Sequence, residues 1–301
     1  MKRKVIQIAN STQLVSLPRK WCIEHGIKKG DELEVEEQGN KIQVSTSKEE
    51  TLERAKVHFA DPSSFLRRPL RTLYKLGYDE VELEFEDPSI LALIQEETEN
   101  MLGFEIVHQA DRTCTIRNVA SALDTEFDGV LRRVLIMLVA MANDTAEALG
   151  KKNFSALNEI MGRERINDKL TLFCERILNK KGYKDHKKLT LLYYIVCQAE
   201  HIADDWHAIC AYTEDHKPKI SQTTAKLLKD AAGLVEQVYN LFYRYNIDQL
   251  SSFKKKHTQI DKQGEAALQT VPKQEVVIVH YLLEMVDKLN HVTAYLPGAG
   301  N

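Results

Sequence analysis

The sequence predicts a multidomain α+β protein: a small N-terminal β domain, a small α+β sandwich, and an all-α body of two three-helix bundles. Three observations carry this. Residues 1–47 alternate apolar and polar side chains over short runs broken by Gly, Pro and Asn, as half-buried strands do. Residues 50–118 mix such runs with two segments of helical spacing. Beyond residue 120, every long segment repeats its apolar residues three and four apart, which sets them in one stripe of a helix.

The chain of 301 residues is long enough for two or three domains. An apolar content of 43% and a charged content of 28% are ordinary for a soluble globular protein. No apolar run approaches the roughly 20 residues of a membrane helix. The start, MKRKVIQIAN, lacks the apolar core and cleavage site of a signal peptide. Five scattered cysteines without a CxxC pair read as reduced core thiols. The expectation is a cytoplasmic protein without membrane insertion. Net charge is only −3, yet Lys2, Arg3, Lys4, Arg19 and Lys20 all precede the first acidic residue, Glu24. Such a basic start on a mildly acidic chain can mark a nucleic-acid contact.

In the first domain, Lys4–Ala9 alternates as a strand, and Asn10-Ser11-Thr12 is a turn cluster. Gln13–Leu17 is a second strand. Pro18 ends it and suits the first turn of a short helix, Arg19–His25, which Gly26 stops. Gly30-Asp31 turns into Glu32–Glu36, and Gly39-Asn40 is a hairpin turn before Ile42–Ser45. About 45 residues with so few apolar side chains rarely bury a sufficient core alone, so a second copy is expected to complete it.

Val15-Ser16-Leu17-Pro18-Arg19-Lys20 and His25-Gly26-Ile27-Lys28-Lys29-Gly30-Asp31 carry a resemblance. In this order of strand, S-x-P helix, glycine turn and hairpin, the segment resembles the AbrB/SpoVT/MazE swapped-hairpin DNA-binding domain. The resemblance implies a homodimer presenting basic loops to DNA. Arg3, Lys4, Arg19 and Lys20 would neutralise phosphates, and Ser11 and Thr12 would donate hydrogen bonds. The same residues also suit a solvated basic rim on a module that only dimerises.

Residues 50–118 read as β-α-β-α-β-β: strand Ala55–Phe59, helix Pro62–Leu76, strand Val81–Phe85, helix Pro88–Leu102, and strands Phe104–His108 and Thr113–Val119. The expected result is two helices on one face of a sheet, with no chemistry of its own. His58, Asp61 and Arg112 read as isolated surface residues.

The body begins with a helix capped by Asp124 and running to Leu149. Phe154–Leu178 follows. Leu189–Tyr212 is the third helix, around which the others are organised. Its stripe is Leu192, Ile195, Ala199, Ile202, Trp206 and Ile209, with Glu200, Asp204 and His207 projecting beside it. Ile220–Tyr245, Ile247–Gln269 and Glu275–Tyr295 complete two sets of three, expected as antiparallel bundles laid end to end. Gly264 makes the fifth helix the weakest.

An internal repeat joins the sets. Tyr194-Ile195-Val196 aligns with Tyr281-Leu282-Leu283, Glu200 with Asp287, and Asp204 with His291. Glu164 and Asp168 on the second helix correspond to His257 and Asp261 on the fifth. Four helices thus each carry two potential ligands at i, i+4, a pattern that suits a cation and equally a solvated acidic flank. The segment Ala199-Glu200-His201-Ile202-Ala203-Asp204-Asp205, on two such bundles, is similar to the PhoU family of phosphate-uptake regulators, whose archaeal members join an AbrB-like head to a PhoU-like body. That resemblance implies clustered metal ions, commonly iron or zinc, bound through these carboxylates. It carries over to Glu164, Asp168, Glu200, Asp204, Asp261 and Asp287. His257 and His291 depart from the carboxylate pattern, and imidazole tilts the second site toward zinc, iron or nickel.

No Gly-rich phosphate loop, nucleophile context or HExxH is present, and no Glu-x-x-His pair lies on the bundle helices, so an enzyme is not expected. The expected function is a phosphate-responsive regulator that binds DNA through its head. Its partners would be a second copy, DNA, and a phosphate transporter's ATPase or a sensor kinase. The alternative is a protein-binding adaptor on the transporter whose head only dimerises. An antitoxin-like repressor fits the head but not the large folded body.

Overall fold

A computed structural model describes residues 1–8, 12–38, 41–46, 52–59, 66–120 and 126–296. The chain divides into two compact units, Met1–Thr51 and Leu52–Asn301. An N-terminal strand unit is followed by a sheet and a mostly helical body. The expected turns at residues 10–11 and 39–40, the Asp124 cap, and Asp61, Pro62 and Phe65 lie outside the described residues.

The first unit holds two separate antiparallel pairs. β1 (Ile6–Ile8) pairs with β2 (Thr12–Leu14), and β3 (Leu33–Gln38) with β4 (Lys41–Thr46) in the register Val35↔Val44. Between them lies α1 (Arg19–Glu24), entered through Pro18. Gly26 and Gly30 take left-handed φ of 60° and 96°, which explains glycine on both sides of the Lys28–Lys29 turn. The Asp31 carboxylate accepts from the Lys28 N–H at 2.9 Å and closes that turn. No described residue of this unit is buried.

The second unit begins with a sheet of order β5-β6-β8-β7. β5 (Arg54–Phe59) lies parallel to β6 (Glu80–Phe85), and β8 (Thr113–Asn118) is antiparallel to both β6 and β7 (Phe104–Ala110). The β5–β6 crossover is α2 (Arg67–Leu76), and α3 (Ile90–Glu99) joins β6 to β7. Leu70, Tyr74, Ile90 and Ile94 of these helices are buried with Val81, Leu83, Phe85, Cys114 and Ile116 of the sheet.

The helices are α4 (Phe127–Lys151), α5 (Leu157–Lys181, entered by a single 3-10 turn), α6 (Leu189–His216), α7 (Gln222–Tyr243), α8 (Ile247–Thr270) and α9 (Val276–Thr293). Ser221 caps α7 through its hydroxyl, which accepts from the Thr224 N–H, and the Asn246 amide oxygen caps α8, accepting from the Asp248 and Gln249 N–H groups. The two sets do not lie end to end. α4 packs along α7 and α6 along α9 as extensively as helices pack within a set. The reason is the width of the apolar stripes. Leu135 and Leu138 of α4, Ile195 and Ile202 of α6, Val235 and Val238 of α7, and Leu289 of α9 line one shared apolar centre. A stripe this wide buries against two neighbours rather than one. α5 and α8 flank this four-helix core.

Sheet and helices form one unit because α2 docks on α5. The apolar run Leu170–Leu178 of α5 is buried on every side, with Glu175 and Arg176 inside it. The Arg176 guanidinium donates to the Tyr74 carbonyl at 2.9 Å, to the Tyr78 carbonyl at 2.7 Å and to Asp79 Oδ1 at 3.0 Å. It also lies over the Tyr74 and Phe104 rings, 5.1 and 4.9 Å from their centroids. Lys180 bonds the same Asp79 carboxylate. Gly77, with φ of 99°, ends α2 where a Cβ would stand 3.0 Å from Lys180 Cβ.

Candidate functional sites: an apolar basic head and an acidic groove

In the first unit, Arg3, Lys4, Thr12, Arg19 and Lys20 are all exposed, while Ser11 lies outside the described residues. Arg19 and Lys20 open α1, and Arg3 and Lys4 precede β1. Beside this charge the unit exposes its apolar side chains: Ile6, Ile8, Val35 and Ile42 are 57%, 53%, 61% and 68% exposed. Both strand pairs therefore present apolar residues that no described residue of the unit covers.

In the second unit, the carboxylates expected to act together lie on α5 and α6, with Glu164, Asp168 and Glu200 half-buried and Asp204 exposed; the strip of surface along these two packed helices is the groove. Glu164 is pushed up to about 7 by burial first, then by the charges of Asp168 and Asp204. Glu200 rises to about 7 for the same reason, with Asp204 and Asp168 as its strongest like-charged neighbours. Burial also raises Asp168 and Asp204, against the opposing charges of Arg71 on Asp168 and of His201 and His207 on Asp204. The four groups on two helices thus share one field.

They do not share one point. Among the described residues, no three His, Cys, Asp or Glu side chains come together as a group that could hold a metal ion. Asp168 is instead engaged by Arg71 of α2, whose Nη1 stands 3.2 Å from Oδ1 and 3.0 Å from Oδ2. Arg71 Nε donates at 2.8 Å to Glu97, a fully buried carboxylate of α3 that also accepts from Arg67 Nη1 at 2.8 Å. One turn along α2, Lys75 Nζ lies 2.6 Å from Glu175 Oε2, and the Cys197 thiol donates to Glu175 Oε1 at 3.1 Å. Burial and this carboxylate push the Cys197 thiol up to about 12, so it is an inert partner and not a nucleophile.

The sheet layer, expected to carry no chemistry, therefore supplies the cations of the groove. Arg71, Lys75, Glu97, Glu175 and Cys197 were not anticipated. One signal was present: Arg67, Arg71 and Lys75 recur at i, i+4 and i+8, a cationic face on α2.

The second row is looser. His291 Nε2 is 3.6 Å from Asp287 Oδ1 on the same exposed stretch of α9. His257 on α8 is pushed down by burial and by Lys254, with Asp261 and Asp287 opposing. His257 stacks on Phe253 at 6.2 Å. Asp287 thus lies within electrostatic reach of His257, but these four residues likewise form no preassembled ion site.

Among the described residues, no helix is long and apolar enough to cross a membrane. Comparison with curated proteins finds no match, and comparison with solved structures finds none. A comparison with family models matches residues 6–51 to the antidote-toxin recognition MazE, bacterial antitoxin, family. The first unit of this chain is an N-terminal MazE/AbrB-type domain.

Proposed function

We propose that the chain is a homodimeric transcription regulator that binds DNA through Met1–Thr51. The carrying observation is a MazE/AbrB-type segment in which no described residue is buried while Ile6, Ile8, Val35 and Ile42 stand exposed. Domains of this type commonly dimerise and bind DNA. A second copy supplies the apolar surface these side chains lack. Arg3, Lys4, Arg19 and Lys20 then stand free to neutralise phosphates, with Thr12 as a hydrogen-bond donor.

The helical body receives the signal. Its repeated sets of three helices and the Ala199–Asp205 motif support a PhoU-like, phosphate-responsive role, exercised on phosphate uptake through a transporter ATPase or a sensor kinase. Iron or zinc at Glu164, Asp168, Glu200 and Asp204, or at His257, Asp261, Asp287 and His291, is not needed for this reading. The oxygen donors have the right chemistry, but in the arrangement described they do not converge.

The test is duplex DNA binding across a salt series. The logarithm of affinity should fall linearly with the logarithm of salt, and Arg19→Ala with Lys20→Ala should flatten the slope by about 2. A chain with no duplex binding at low salt is the adaptor instead, its head serving only to pair two copies.

A further inference from the structure

We propose that α2 is a cationic strap: Arg71 and Lys75 are the resident cations of the α5–α6 groove, in the place a metal ion would otherwise take. The inference stands apart from DNA binding and goes beyond the proposed regulator role.

Four features carry it. Both oxygens of Asp168, the carboxylate best placed to join the two helices' pairs, lie within 3.2 Å of Arg71 Nη1. Both oxygens of Glu175, farther along the groove, are taken by Lys75 and the Cys197 thiol. The guanidinium is aimed in advance, because its Nε is held on the buried Glu97. Arg71 is also a minor opposing charge on Glu164 and Asp204, and Lys75 is one on Glu200.

The strap has a fixed end and a charge-held end. Arg176, Lys180 and the close approach at Gly77 lock residues 74–79 onto α5. Toward its start, α2 is held on α5 by Arg71 and Asp168. The Arg71–Asp168 pair is partly exposed, so salt weakens it more than the buried Arg176–Asp79 pair, though less than a surface pair. Loss of the pair should therefore loosen the α5-facing side of α2, while Leu66 and Leu70 stay buried against the sheet.

The test uses the full chain. After dialysis against a metal-free buffer, the protein should retain no stoichiometric iron or zinc and show no saturable Mn2+ binding by equilibrium dialysis. In Arg71→Gln with Lys75→Gln, amides of residues 70–73 should exchange hydrogen about 10-fold faster, while those of α9 keep their rates. Arg71→Lys, which keeps the charge and loses the fork, should give an intermediate rate and guards against a misfolded double variant. Retention of about one metal per chain that Asp204→Asn abolishes would overturn the proposal. Unchanged exchange in α2 of the double variant would overturn it as well. Neither result bears on the salt series with DNA, so the two readings fail separately.

Discussion

Arg176→Met removes the guanidinium that ties the sheet to the helices and leaves an apolar chain of similar length. Three donated hydrogen bonds disappear, to the Tyr74 and Tyr78 carbonyls and to Asp79. A hydrogen bond to a charged donor contributes about 1.5–3 kcal/mol, and such contributions do not add when they share one group. Breaking a buried ion pair costs about 3–5 kcal/mol. Two partners moderate this: Lys180 still bonds Asp79, and the Tyr74 carbonyl still accepts from the Gly77 N–H at 3.1 Å. Methionine also keeps part of the contact with the Tyr74 and Phe104 rings. The net loss should lie at the low end, about 3 kcal/mol. Urea unfolding reads it well, because the chain has two tryptophans, Trp21 in the first unit and Trp206 buried in the second. In a Trp21→Phe background, Trp206 alone reports on the second unit. With a slope of about 3 kcal/mol/M for a unit of this size, the midpoint should fall by about 1 M. Arg176→Lys, a single point charge in place of a fork, should fall by roughly half as much. A midpoint within about 0.3 M of the parent would refute the argument. The guanidinium would then be a passenger, and the apolar contact of α2 with α5 would suffice.

The groove predicts a pH dependence. Glu164 and Glu200 are each pushed up to about 7 from an ordinary 4.5, so between these values the folded state binds more protons than the unfolded state, and stability falls as pH rises. With partial solvent screening the two together should lower stability by on the order of 1–3 kcal/mol between pH 5 and 8, and Glu164→Gln with Glu200→Gln should abolish that share of the urea-midpoint difference. Gly264→Ala should destabilise by about 1–3 kcal/mol despite alanine's better helix propensity, because its Cβ would stand 2.5 Å from Leu283 Cδ2; a thermal melt at or above the parent's would contradict this. Under the homodimer reading, Ile6→Asp with Ile42→Asp should shift the full chain to monomer in analytical ultracentrifugation, and an unchanged sedimentation coefficient would place the dimer contact elsewhere.

Element type was largely legible along the chain, because periodicity is a local property. The Leu189 helix, its stripe and its neighbours stand where the spacing of Leu192, Ile195, Ala199 and Ile202 puts them. Gly264 was read as a weakness of its helix. The Gly264 Cβ position is taken by the Leu283 side chain of α9, so any larger residue must displace that leucine, and such closeness of approach leaves no local trace. The side-by-side packing of the two sets was equally hidden. A stripe's width shows how much must be buried, not which neighbour covers it. The acidic row on α5 and α6 was visible as spacing, and the shared field of its four carboxylates follows that spacing. Its counter-charge was not visible, since Arg71 meets Asp168 only after α2 has docked on α5. Arg3, Lys4, Arg19 and Lys20 of the first unit stand exposed, as a phosphate contact requires.

A unit in which no described residue is buried has a consequence for dosage. Under the proposed homodimer, if Met1–Thr51 binds only as a pair, the number of paired heads rises with the square of chain abundance while the protein is scarce. Halving synthesis would then quarter occupancy at a weak operator. On that reading, the supply of the chain would be an input in its own right.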